Sequence, residues 1–164
     1  MYSLAVPSSA VSTETGVISR LASEVVGAAE KSEALFGAKS KAISKLWQLA
    51  NECSENNWDD YGSAQIQRST VSNAVEFIRS LPDKIALPEV APEPDGSISM
   101  DWIKSRNRVF SISLNNQRTF PYAWLDGVER GHGVAVFDRG GISQRILSGI
   151  SSVMENEPAL LRVA

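Results

Sequence analysis

The chain predicts an α+β domain, with N-terminal helices, a four-stranded antiparallel β-meander and a C-terminal helix packed on the sheet. Three observations carry this. Apolar residues recur at helical spacing before Leu81 and again after Gly141. Between Ile98 and Phe137 the apolar period falls to two. The turn pairs Asp95-Gly96, Asn115-Asn116 and Asp126-Gly127 punctuate that stretch.

Taken in order, residues 1–12 read as a flexible tail and residues 13–37 as a helical extension. Thr13 is placed to cap the first helix, and Val17, Ile18, Leu21, Val25 and Ala28 form its stripe. The stripe is narrow and rich in alanine and valine, which suits loose packing or an oligomer contact. Gly37 reads as a break. A single α+β domain is then expected over 38–158, followed by a tail over 159–164.

Within that domain a helix near Lys39 to Cys53 should bury Ile43, Leu46, Trp47 and Ala50. Ser69 or Thr70 can cap the next helix, whose stripe is Val71, Ala74, Val75, Ile78 and Leu81. Pro82 ends it, and Pro82, Pro88, Pro92 and Pro94 keep the chain extended, with room for a short edge strand at Leu87 to Ala91. The alternating strands follow. Ile98, Met100 and Trp102 point one way, as do Phe110, Ile112 and Leu114, then Phe120, Tyr122 and Trp124. Pro121 points to an edge position, and Gly133 to Phe137 makes the fourth strand. The last helix, about Ile142 to Glu155, lines Ile142, Ile146, Leu147, Ile150, Val153 and Met154 on one face.

Composition narrows the function. The net charge is −3, with a pI near 5.2, so a broad basic footprint for nucleic acid is absent. Cys53 is the lone cysteine, so no intrachain disulfide forms and a reducing compartment fits. No basic leader and no long apolar run stand out, and the expected location is the cytoplasm, away from membranes.

The densest local chemistry is the loop from Asn56 to Gly62. On the structural reading, Trp58 and Tyr61 anchor a helix-to-helix connection, Asp59 or Asp60 accepts backbone N–H groups, and Gly62 supplies a positive φ. On the functional reading, the Asp59/Asp60 pair beside the aromatics holds a polar ligand or cation, or joins Asp101 in a carboxylate-dependent enzyme. Adjacent carboxylates diverge on most backbones, so the structural reading is preferred. Lys104, Arg106 and Arg108 form the densest basic run and offer a phosphate or acidic-partner contact. His132 is the single histidine, and His132 with Cys53 is formally a nucleophile pair. Neither a phosphate-binding glycine loop nor a serine elbow is present, and no cofactor or metal is expected.

Asn57, Trp58, Asp59, Tyr61 and Gly62, together with Pro94, Asp95, Gly96, Ile98 and Trp102, resemble the signature of a family of small bacterial proteins, largely uncharacterised and often found near mobile or defence-related genes. The usual pattern is Asn-Trp-Asp-Gly-Tyr-Gly, then Pro-Asp-Gly-x-Ile-x-x-Glu-Trp. Asp60 stands where that pattern has glycine and Asp101 where it has glutamate. The likeness spans Trp47 to Leu114 and carries no established activity. It implies a shared fold in which the loop meets the strand bearing Trp102. The expected function is a non-enzymatic protein-binding or regulatory module, antitoxin-like or inhibitor-like. The alternatives are an enzyme or small-ligand binder built on the Asp59/Asp60 loop, and a nucleic-acid binder through Lys104, Arg106 and Arg108.

Overall fold

The computed structural model describes residues 24, 36–137 and 141–155. Two compact units divide the chain, Met1–Ala38 and Lys39–Ala164. Of the first unit, Glu24 and residues 36–38 are described, and all are helical. Apart from Glu24, the helix expected from Thr13 lies outside the described residues, as do both tails. Gly37, expected to break the chain, is itself helical. One glycine costs a helix about 1 kcal/mol and does not by itself end it.

The second unit is α+β. Residues 39–52 form α1, Arg68–Ser80 form α2 and Gln144–Met154 form α3. The strands are β1 (Glu89–Pro92), β2 (Ile98–Ser105), β3 (Arg108–Leu114), β4 (Thr119–Asp126) and β5 (Glu129–Val136). They make one sheet in the order β1-β2-β3-β4-β5, each antiparallel to its neighbour. This is one strand more than the alternation predicts. The fifth strand lies in the proline-punctuated stretch, overlapping the short edge strand expected at Leu87 to Ala91; at four residues it is too short a run to show a period. Lying at the sheet edge, β1 can also carry Pro92.

One face of the sheet carries the core. Val90, Met100, Trp102, Phe110, Ile112, Leu114, Phe120 and Tyr122 are buried there, as the period of two requires. On this side α2 packs on β2 and β3, and α3 packs on β2, β3 and β4. The stripe expected on α2 is buried throughout. Its centre is Phe77, whose ring lies 6.4 Å from Trp102, 5.7 Å from Phe120 and 5.5 Å from Phe137. Trp102 donates its indole N–H to the Ala86 carbonyl at 2.7 Å, so a fully buried polar group is satisfied.

Several local expectations change. On α1 the buried residues are Leu46 and Leu49, with Cys53 buried just after its end, while Trp47 is exposed. Two apolar stripes overlap on that helix, and packing onto the domain selects the one through Cys53. The N-cap of α2 is Gln67 without a side-chain cap bond; Ser69 and Thr70 lie within the first turn. β4 is interior rather than an edge. Pro121 is tolerated because the β3–β4 ladder stops at Tyr122, leaving Thr119 to Pro121 paired only to β5. β5 begins at Glu129, earlier than the expected Gly133. Gly131 and Gly133 are sheet residues there, opposite Trp124 and Tyr122. A Cβ on Gly133 would come within 2.7 Å of the Tyr122 hydroxyl, and one on Gly131 within 2.9 Å of the Trp124 ring. The two glycines make room for the aromatics of β4 to lie across the neighbouring strand.

Candidate functional site

The Asn56–Gly62 loop is held by its own side chains. Asn57 and Asp60 adopt positive φ, 65° and 62°, and Gly62 follows at 92°. The Asn57 amide oxygen accepts the Gly62 N–H at 2.7 Å, and the Asn56 amide oxygen accepts the Gln65 N–H at 3.0 Å. Asp59 accepts the N–H groups of Tyr61 at 3.0 Å and Ser63 at 3.2 Å, and the Ser63 hydroxyl at 2.5 Å. The Ser63 hydroxyl first, and then the Tyr61 amide, hold the Asp59 carboxyl below its usual range. Asp59 is thus a turn acceptor, and Asp60 beside it is exposed. Trp58 is half-buried against the core and donates to the Ala64 carbonyl at 3.0 Å. Tyr61, expected as a second anchor, is 93 % exposed. The loop needs only one ring to enter the core, and its three positive-φ residues turn the other outward.

Two predictions follow from this geometry. Trp58→Ala is expected to lower stability by about 2 kcal/mol in urea unfolding, less than a fully buried tryptophan, because the ring is half-buried and loses one hydrogen bond. Asp60→Gly should raise stability by about 0.5 kcal/mol and Asp60→Val lower it by about 1–2 kcal/mol, since left-handed backbone disfavours a β-branched residue most. Thermal midpoints of the two variants moving in the same direction would contradict the second.

The segment after the loop, Ala64 and Gln65, meets the Pro94–Gly96 turn before β2, and not Trp102. Ala64 N–H donates to the Pro94 carbonyl at 2.8 Å. Gly96, at φ 84°, sits so close that a Cβ would lie 2.7 Å from the Gln65 carbonyl oxygen. A polar cleft of about 370 Å³ at this junction is lined in part by Asn56, Gln65, Asp95 and Asn116. Asp95 is held low by the Ser97 hydroxyl and then the Ser97 amide. Trp102 lies farther along β2, engaged with Ala86.

Asp101 projects from the opposite side of β2 from Trp102, onto the sheet face opposite α2 and α3. It accepts the hydroxyls of Ser111 at 2.5 Å and Ser99 at 3.0 Å. Glu93 similarly accepts from Ser97 at 2.8 Å and from Ser113. Among the described residues Asp59 and Asp101 share no hydrogen-bonding partner. Among the described residues no group of three or more His, Cys, Asp or Glu side chains is arranged to hold a metal ion.

The basic run divides. Lys104 and Arg106 are exposed, Lys104 where the β2–β3 register shifts between Ile103 and Ser105. Arg108 is instead spent inside the fold. It donates to Asp126 at 3.0 Å, to the Ser152 carbonyl at 2.5 Å and to the Glu155 carbonyl at 2.8 Å. α3 has no basic residue in its last turn, so Arg108 supplies the cation at its negative end.

The remaining candidates are separated by geometry. Cys53 is buried, and burial, then Glu52 and Asp59, raise its thiol pKa. His132 is on β5, exposed. Asp101, Ser111, Ala123 and His132 occupy one row across β2, β3, β4 and β5. Ser111 donates its hydroxyl hydrogen bond to Asp101, and His132 is two strand spacings away, roughly 10 Å. The residue types of a hydrolytic triad are present without the histidine between the other two.

This open face is the surface that sequence reasoning missed. It carries a shallow trough of about 630 Å³ lined by Val109, Ser111, Ala123, Leu125, Arg130 and His132 among others. Ile103, Val134 and Val136 are exposed large apolar residues on the same face. The signal was available. Outward positions of β2 to β5 hold Ile103, Val109, Leu125 and Val134 where a solvated face would hold polar residues. Comparisons with protein-family models, curated proteins and solved structures find no match. Among the described residues no helix is long and apolar enough to cross a membrane.

Proposed function

We propose that this chain is a non-enzymatic protein-binding module whose contact surface is the sheet face opposite α2 and α3. The observation that carries the reading is the apolar trough around Val109, Ala123 and Leu125, flanked by the exposed Ile103 and Val134. An apolar strip rimmed by charged side chains is the composition of a protein contact surface. The carboxylates support an enzyme less well, because Asp59 and Asp101 are each engaged by hydroxyl donors at separate places. A nucleic-acid contact is left with Lys104 and Arg106, since Arg108 is occupied within the fold. The antitoxin-like or inhibitor-like role rests on the family resemblance.

A photo-crosslinking residue at position 125, introduced into the full chain in its native host, tests the reading. A discrete protein adduct at position 125, not formed from the exposed position 106, is the expected result. Equal labelling from both positions, or none from either, would remove the proposal.

A further inference from the structure

We infer that the polar cleft between the start of α2, the turn before β2 and the turn after β3 binds a neutral sugar. It shares no lining residue with the sheet-face trough, so this inference and the protein-binding reading stand independently. The cleft holds about 370 Å³, at the small end of ligand-sized cavities. Thr70 lies at its floor and is 2 % exposed. Other hydroxyls of α2 turn back onto the preceding turn. Ser72 donates to the Arg68 carbonyl at 3.0 Å, and Ser80 to the Glu76 carbonyl at 2.9 Å. Thr70 is in the first turn, with no helical carbonyl behind it. Its hydroxyl has no hydrogen-bond partner among the described residues, yet no side-chain polar atom there is both sealed from solvent and unpartnered. The hydroxyl therefore opens on the cleft that Thr70 lines. Only water or a ligand can satisfy it there.

The lining decides the class of ligand. Among the described residues no lysine or arginine lines the cleft, and Asp95 adds a negative charge, so an anion is disfavoured. Asp95 is also the single acidic side chain there, too few for a bare metal ion. The other polar groups are neutral, and the fold engages each on one side only. The Asn56 amide oxygen accepts the Gln65 N–H at 3.0 Å, and that of Asn115 accepts the Gln117 N–H at 2.7 Å. Both keep an amide NH₂ group as a donor. Asn116 donates its amide to the Gln67 side chain at 3.0 Å, and one Asp95 oxygen accepts the Ser97 N–H at 2.9 Å. Each of these keeps an oxygen as an acceptor. A matching ligand must donate and accept at neighbouring positions without carrying charge, and a sugar hydroxyl does both. The bonds within the lining hold these groups in place before the ligand arrives, which lowers the entropy lost on binding.

Amide NMR of the full chain, titrated in turn with glucose, galactose, mannose and N-acetylglucosamine to millimolar concentration, tests this. At least one of these sugars is expected to give saturable shifts at Thr70 and at the side-chain amides of Asn56 and Asn115. Thr70→Val keeps the shape of the side chain and removes the hydroxyl. It should weaken that binding about five- to tenfold, the effect of one lost hydrogen bond. Asp95→Asn keeps the turn acceptor, removes the charge and should weaken binding by a similar factor; it serves if the valine variant does not fold. The dispersion of each spectrum shows whether the variant is folded. No saturable shift with any of these sugars would overturn the inference and leave the Thr70 hydroxyl to water. Shifts confined to residues away from the cleft, or binding unchanged in the folded variants, would also overturn it. Saturation of the cleft resonances by inorganic phosphate or calcium, with no response to sugar, would reassign the site to an ion.

Discussion

Phe77→Ala is expected to lower the stability of the domain by about 3–5 kcal/mol, the range for emptying a buried aromatic site. Phe77 is fully buried and touches the rings of Trp102, Phe120 and Phe137, which come from three different parts of the chain. Edge-on contact with Phe120, at an interplanar angle of 89°, adds a specific aromatic term to the lost area. The neighbours cannot close the gap easily. Trp102 is pinned by its bond to Ala86, and Phe120 and Phe137 are held on the sheet and just beyond it. Phe77→Leu keeps much of the volume and should lose about half as much. Urea unfolding followed by tryptophan fluorescence measures both. A loss below about 1.5 kcal/mol for the alanine variant would mean that the helix–sheet interface is not organised around this ring.

Arg108→Ala is expected to cost about 2–3 kcal/mol, because it removes three charge-assisted hydrogen bonds and leaves the Asp126 carboxylate without its cation. The Arg108 side chain is 14 % exposed and that of Asp126 31 %, so the pair is only partly screened by water. The same substitution releases the Ser152 and Glu155 carbonyls at the end of α3. Amide exchange should therefore accelerate in the last turn of that helix first. Arg106→Ala, on the exposed turn next to it, should stay within about 0.5 kcal/mol of wild type. Comparable losses from the two arginines would contradict the division of the basic run.

Which parts of this could be foreseen depends on the range of the interaction. The core strands and α3 were legible because alternation and helical periodicity are local properties, and a slip of one residue would turn Trp102, Phe110 and Phe120 to the wrong face. Gly62 was legible as a turn residue for a similar reason. The buried stripe of α1 was not, since Trp47 and Leu49 both neighbour Leu46 and only packing onto the domain chooses between them. Phe77 lies just outside the expected α2 stripe, although the structure makes it the hub of that helix. Tyr61 and Trp58 look alike in sequence, and three positive-φ positions decide that Trp58 turns inward and Tyr61 outward.

The sequence by itself therefore determined the α+β class, the inward face of the sheet and the helix that covers it, because these follow from residue periods within single elements. Only the tertiary structure decided which of these side chains the fold itself engages. It engaged Asp59 in a turn and Arg108 at the end of α3, and it set Ile103, Val109 and Leu125 in one row on the sheet face opposite α2 and α3. Those assignments depend on contacts between residues far apart in the chain, and no local period records them.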